Sequence, residues 1–226
     1  MSDPAQPIED PRAPVADGPR VQDELPEEDF LALMGRWRIL PPLEVAELLS
    51  DAPFEWWITG GWAIELASGH PRHHDDTDVT FLARDLPNLR RWVQDRRLHL
   101  WAPGPARLRP ILPGIRVRDD EEQFWLRTDA ESPWLLDLLA TPTSGDDWVF
   151  KKDERITRPL GQVGTRVDGI PIVVPEIALL FKAAHDRPKD RADLLAVLPR
   201  LERVQREWLA TSLRTWQGQH AWLEYL

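Results

Sequence analysis

Cysteine is absent from all 226 residues. Disulfides, thiolate zinc sites and cysteine nucleophiles are thereby excluded. A long apolar run is also missing. The most apolar stretch, Ile170 to Ala184, is broken by Pro171, Pro175, Glu176 and Lys182, too often to span a bilayer. The chain opens acidic, Met1-Ser2-Asp3-Pro4, with no apolar segment behind it. No secretory signal is expected, and the whole fits a cytoplasmic protein with no membrane partner. Basic stripes are lacking too, which argues against nucleic acid as a partner.

What is present suits a folded enzyme-sized chain: 42% hydrophobic and 29% charged residues, enough of both for a buried core and a solvated surface. The formal net charge is -10. Residues 1–29 hold nine acids and two bases, a net of -7, so the remaining body carries -10 minus -7, or -3. The acidity is therefore mostly a property of the start. Residues 1–24 are rich in Pro, Ala, Asp and Glu and cannot bury enough apolar surface to offset ordering. A disordered tail is expected there, then a core over 25–150, then a mainly helical lobe over 151–226.

Helices are predicted over Glu28–Trp37 and Pro42–Ser50, and a strand over Phe54–Thr59. Gly60-Gly61 then turns the chain into a short helix, Trp62–Ser68, closed by Gly69. Asp76–Ala83 reads as a strand and Pro87–Leu98 as a helix. Residues 103–122 read as loops with a short strand at Ile115–Val117. Gln123–Thr128 and Pro133–Ala140 read as neighbouring strands, Trp148–Lys151 and Gly169–Val174 as short extended pieces. From Pro175 the pattern is helical. The fold class is α+β: a small mixed sheet followed by helices.

Three acids carry the chemistry. Asp76 and Asp78 stand two apart, so in a strand both face one side while Thr77, Val79 and Phe81 face the other. Two carboxylates roughly 7 Å apart repel unless a cation lies between them. A hard divalent ion such as Mg2+, or Mn2+, fits. Asp137 lies in Trp134 to Leu139, apolar on both faces like a central strand. An ionised carboxylate there needs a metal or a paired cation, with Arg127 the alternative partner. Taken one at a time, Asp76 and Asp78 also suit a solvated turn. Gly60 and Gly61 stand 15 residues or so before the acids (76 minus 61), close enough to share a pocket with them.

The strings Gly60-Gly-Trp-Ala-Ile-Glu-Leu-Ala-Ser-Gly69 and Arg72-His-His-Asp-Asp-Thr-Asp-Val-Thr-Phe81 resemble the small aminoglycoside O-nucleotidyltransferases of the polymerase-beta nucleotidyltransferase superfamily. Leu135-Leu-Asp137 looks like that superfamily's third acid. Pro175 to Lys182 and Arg187 to Asp193 look like the helical lobe of its bacterial relatives. The resemblance implies a nucleotidyltransferase core with a C-terminal helical lobe. It implies Asp76, Asp78 and Asp137 as metal ligands, with Asp137 also a general base, and Gly60 and Gly61 as a phosphate cradle. It implies transfer of a nucleoside monophosphate, AMP from ATP, onto a small hydroxylated acceptor such as an aminoglycoside-like antibiotic.

Arg72 and His74 would touch phosphate oxygens or else form a solvated loop. Lys182 would reach the triphosphate or snorkel to solvent. Lys189 would contact the nucleotide, while Asp190 and Asp193 suit the start of a helix. Two rivals stay open: adenylylation of a protein or RNA in a toxin–antitoxin setting, and a nucleotide-binding module without activity.

Overall fold

The computed structural model of the chain describes residues 34–104 and 107–226. The acidic start, and most of the helix predicted at Glu28–Trp37, lie outside them. At Trp37 the chain is not helical but bridges Trp134.

A mixed eight-stranded sheet forms the centre. Its strands are β1 (Trp56–Ile58), β2 (Asp78–Leu82), β3 (His99–Gly104), β4 (Arg107–Pro110), β5 (Gln123–Arg127) and β6 (Leu136–Thr141), joined by β10 (Gly164–Val167) and β11 (Ile170–Val173). Three strands between them, β7 (Thr143–Ser144), β8 (Asp147–Val149) and β9 (Thr157–Pro159), make a separate small sheet. The main order is β10-β11-β1-β2-β6-β5-β3-β4. Two contacts are parallel, β1 with β11 and β2 with β6, and the rest antiparallel. The sheet is thus mixed and followed by helices, as the pattern predicts. It is wider than a small core because β10 and β11, from beyond residue 150, join it beside β1.

Two local readings are corrected. Ile115–Val117 is irregular, not a strand. The 103–122 segment instead begins with a hairpin of β3 and β4, which Pro103, Gly104 and Pro110 disguise. β4 is an edge strand, where a missing proline N–H breaks no ladder. Asp76 also precedes its strand, which starts at Asp78.

Six α-helices are described: α1 (Pro42–Leu48), α2 (Gly60–Ser68), α3 (Leu86–Asp95), α4 (Pro175–Ala183), α5 (Pro188–Val197) and α6 (Arg203–Gln217). Prolines start three of them and Pro87 is second in α3, positions where the absent N–H is unused anyway. α2 ends at Gly69, whose φ of 71° lets the chain leave the helix left-handed. α4 is almost wholly buried: it packs on α2, α5 and α6. One continuous apolar core joins the sheet to these helices, from Val79 and Phe81 on β2 to Leu179, Leu194 and Leu209.

Candidate active site

The site grows from the two parallel strands at the middle of the sheet. β2 and β6 pair with Asp78 directly beside Asp137. The Asp137 N–H donates to the Thr77 carbonyl at 2.9 Å, which fixes that register. Thr77, Val79 and Phe81 are fully buried on the opposite face, as the strand period requires. Thr77 anchors there by accepting from the Leu40 N–H and donating to the Leu40 carbonyl, both at 3.1 Å. Asp76 lies just outside the strand, yet its carboxylate joins the others. One oxygen each from Asp76, Asp78 and Asp137 lies within 4.8 Å of the other two.

Three acids this close disfavour one another's charge. Burial, then Asp76, pushes the Asp78 carboxyl up to about 7. Burial, then Asp78 and Asp76, holds Asp137 well above the usual carboxylate range. Asp76 is raised by burial and by Asp75, with Lys189, Lys182 and Arg72 pulling the other way.

Asp137 is not paired with Arg127. That guanidinium lies over the rings of Trp134 and Trp101, 4.2 and 4.9 Å from their centroids. Gln123 on β5 takes the place instead: its Nε2 donates to Asp137 Oδ2 at 2.6 Å. Asp137 Oδ1 is buried with no well-formed hydrogen bond, although the Trp125 indole lies close enough to favour the charged carboxylate. Leaving such an oxygen unpaired costs on the order of 1–3 kcal/mol or more. A divalent cation among the three carboxylates would satisfy it, and oxygen-only ligands are what Mg2+ or Mn2+ take. The residues present therefore fit the ion.

Gly60 closes against this cluster. Its φ is +62°, and a Cβ there would collide with Asp78 Oδ2. Both demands exclude a side chain. Gly61 faces elsewhere: a Cβ on it would strike the Arg72 guanidinium and press on His74. The pair of glycines thus brings the start of α2 up to an acid on one side and to a base on the other.

The basic residues are more ordered than a solvated loop. Arg72 Nε lies 3.2 Å from Asp193 Oδ1. His74 is buried, stacked at 3.6 Å on Trp62, and its Nε2 is 2.8 Å from Glu65 Oε2. Burial lowers its pKa despite Glu65. Lys182 does not snorkel. It is buried, with Nζ 2.7 Å from Asp193 Oδ2. Lys189 reaches Asp75 at 3.2 Å. Lys182, Arg72 and Lys189 all act through space on Asp78 and Asp76. Of Asp190 and Asp193, only Asp190 lies in the first turn of α5, where it caps the helix with Arg187.

A cleft of about 750 Å³ opens beside the cluster and meets it at Asp78; it is the size of a small-molecule site. Asp78, Gly60, Gln123 and Lys182 line it beside apolar Trp148 and Phe181. Gln123, Glu65 and the two-cation role of Asp193 were not legible beforehand. Only the place of Gln123, in a strand predicted to neighbour that of Asp137 and two residues from the position that pairs with it, offered a signal.

Residues 43–100 match the model of a family described as aminoglycoside-2''-adenylyltransferase. Over that segment the chain is similar to those adenylyltransferases. The matched stretch runs from α1 into β3 and holds Gly60, Gly61, Asp76 and Asp78, though not Asp137. No curated protein matches the chain. Among solved structures, the lincosamide antibiotic adenylyltransferase LnuA, lincomycin-bound, is 17% identical with a TM-score of 0.47, covering 70% of this chain and 95% of its own. The solution structure of antibiotic-resistance factor ANT(2'')-Ia is also 17% identical, with a TM-score of 0.46 and coverage of 77% and 88%. ANT(2'')-Ia in complex with adenylyl-2''-tobramycin gives 17%, 0.45, and 77% and 93%. Likeness at that level says nothing about a substrate. Among the described residues no helix is long and apolar enough to cross a membrane.

Proposed function

We propose that the chain is a metal-dependent nucleotidyltransferase that moves AMP from ATP onto a hydroxyl of a small molecule, with an aminoglycoside-like antibiotic as the acceptor class. The single observation that carries the reading is the meeting of Asp76, Asp78 and Asp137 within 4.8 Å, with one buried oxygen of Asp137 lacking a well-formed hydrogen bond. The match of residues 43–100 to the adenylyltransferase family supports the same reaction and acceptor class.

Asp76, Asp78 and Asp137 would hold Mg2+ or Mn2+, which neutralises triphosphate charge and makes an acceptor hydroxyl easier to deprotonate. The roles of the chain's own residues follow from their places. Gly60 and Gly61 open α2, whose first N–H groups suit an anion. Lys182, Arg72 and Lys189 give the nucleotide a basic surround, and His74 shapes it from beneath through Trp62 and Glu65. Asp137, beside the ion, would take the hydroxyl proton. The acceptor oxygen attacks the α-phosphorus in line and pyrophosphate leaves. Positioning and fixed charge supply most of the rate. In this scheme residues 25–150 carry the catalytic acids, and 151–226 adds Lys182 and Lys189 from the helical lobe.

A pyrophosphate-release assay with ATP, Mg2+ and a panel of hydroxylated antibiotics tests the reading. Turnover should appear with at least one acceptor and vanish in the Asp76→Asn/Asp78→Asn double variant. Full turnover in that variant would remove the acids from the mechanism.

A further inference from the structure

We propose that Asp193 is the positioning residue of this site: it holds Lys182 and Arg72 off the three acids, so that a divalent ion rather than a side-chain cation sits among them. The inference rests on the nucleotidyltransferase reading above and deepens it.

Asp193 is a buried carboxylate on α5 that meets two cations with two different oxygens. Oδ2 lies 2.7 Å from Lys182 Nζ and Oδ1 3.2 Å from Arg72 Nε. The cations come from different places, Lys182 from the last turn of α4 and Arg72 from the connector after α2. A helix-capping role does not account for it. Asp190 occupies the first turn of α5 and closes the capping box with Arg187, whereas Asp193 lies a turn further in.

The placement matters because of what the cations would do otherwise. Lys182 lines the same cleft as Asp78. Both Lys182 and Arg72 already act through space on Asp78 and Asp76. A buried ammonium without its carboxylate does not stay unpaired. Lysine is a point charge on a flexible stem. Released from Asp193, its best remaining partners are Asp190, 3.7 Å away and already bonded to Arg187, and the acid cluster. Asp137 in that cluster has a buried oxygen without a well-formed hydrogen bond. An ammonium settling there would neutralise the charge that attracts a divalent ion and occupy its space.

The test measures Mn2+ binding to the full chain without nucleotide, by the loss of the free-ion paramagnetic signal. Asp193→Asn should bind Mn2+ about tenfold more weakly than the parent. Adding Lys182→Gln to it should return the affinity to within about threefold of the parent. A merely structural role for Asp193 predicts no such recovery. Unchanged Mn2+ affinity in Asp193→Asn, or a double variant no better than the single, overturns the inference. Should Asp193→Asn fail to fold, Lys182→Gln alone decides. Affinity within about threefold of the parent supports a lysine already held aside, and a gain of about tenfold or more shows it lying on the acids and overturns the proposal. A parent protein that binds no Mn2+ defeats the nucleotidyl-transfer reading itself, and this inference with it.

Discussion

Buried carboxylates occur in two regions of this protein, and they are treated in opposite ways. Among the helices each one meets a cation. Glu176, fully buried on α4, accepts from Arg158 at 2.7 Å and from Gln205 at 2.8 Å. Asp190 has Arg187 at 2.8 Å, and Asp193 has Lys182 and Arg72. At the sheet, Asp137 has the neutral Gln123 amide, the neutral Trp125 indole and two like charges for company. Burial raises Asp78 and Asp137, whereas the Arg187 hydrogen bonds bring Asp190 below its ordinary value against the opposing effect of burial. Buried acids paired in one place, and one buried and two half-buried acids left together in another, are what the proposed metal site predicts.

The contrast can be broken most severely at the sheet. Asp78→Asn or Asp137→Asn should cut pyrophosphate release by about a thousandfold, roughly 4 kcal/mol of barrier, with the melting temperature kept or raised. A melting temperature that fell sharply would mean these acids are structural like those of the helices. Arg158→Leu should do the reverse. It strands Glu176 without its cation and should cost about 3 kcal/mol in chemical denaturation, while ATP affinity per folded molecule stays as it was. Gly60→Ala comes next, at about 2 kcal/mol from a left-handed backbone and the collision with Asp78, and Mn2+ binding should suffer along with stability.

The smallest effect is the pH dependence, and its sign differs between the regions. Asp78 has a folded pKa of about 7 against an ordinary 3.8. The folded state therefore holds its proton more tightly than the unfolded chain. Stability from this group is full below 3.8 and is lost as pH rises to about 7. Asp186, held to about 2 by Arg191 against the same 3.8, contributes above 3.8 and fades as pH falls toward 2. Without divalent ions, then, stability should slope down from pH 4 to 7 by about 1 kcal/mol, allowing for the solvent that reaches Asp78. Asp78→Asn should make that slope shallower, Asp137 and Asp76 keeping part of it, and Mn2+ should reverse it. Denaturation midpoints across the range give the answer; a flat parent profile would contradict the raised Asp78.

Much of the site was readable because it depends on local rules. A spacing of two placed Asp76 and Asp78 on one side, and the apolar run around Asp137 marked a central strand. The glycine turn before a short helix was equally plain, although Gly60 proves to belong to the helix itself. Elsewhere local rules misled. Pro110 hid an edge strand, which tolerates what a central one does not, and Pro103 and Gly104 hid the end of its partner, beyond the residues that pair with β5. His74 looked like part of a polar loop, yet it stacks on Trp62, twelve residues earlier, and reaches Glu65. Lys182 on an apolar helix offered two opposite fates, and the choice was made by Asp193 from another helix.

By itself, then, the chain determined the acids, their spacing, the turn before them, the strands that carry the acids and the helices after residue 175, since those follow from the periods of two and 3.6 and from backbone freedom at glycine. Tertiary structure alone decided who is paired with whom. Parallel pairing of β2 with β6 set Asp78 against Asp137; β5 supplied Gln123 where Arg127 had seemed as able; α5 took two cations in hand. Such choices depend on which side chains are brought within a few ångströms across long stretches of sequence, in an interior where an unmatched charge is costly, and no local pattern encodes that distance.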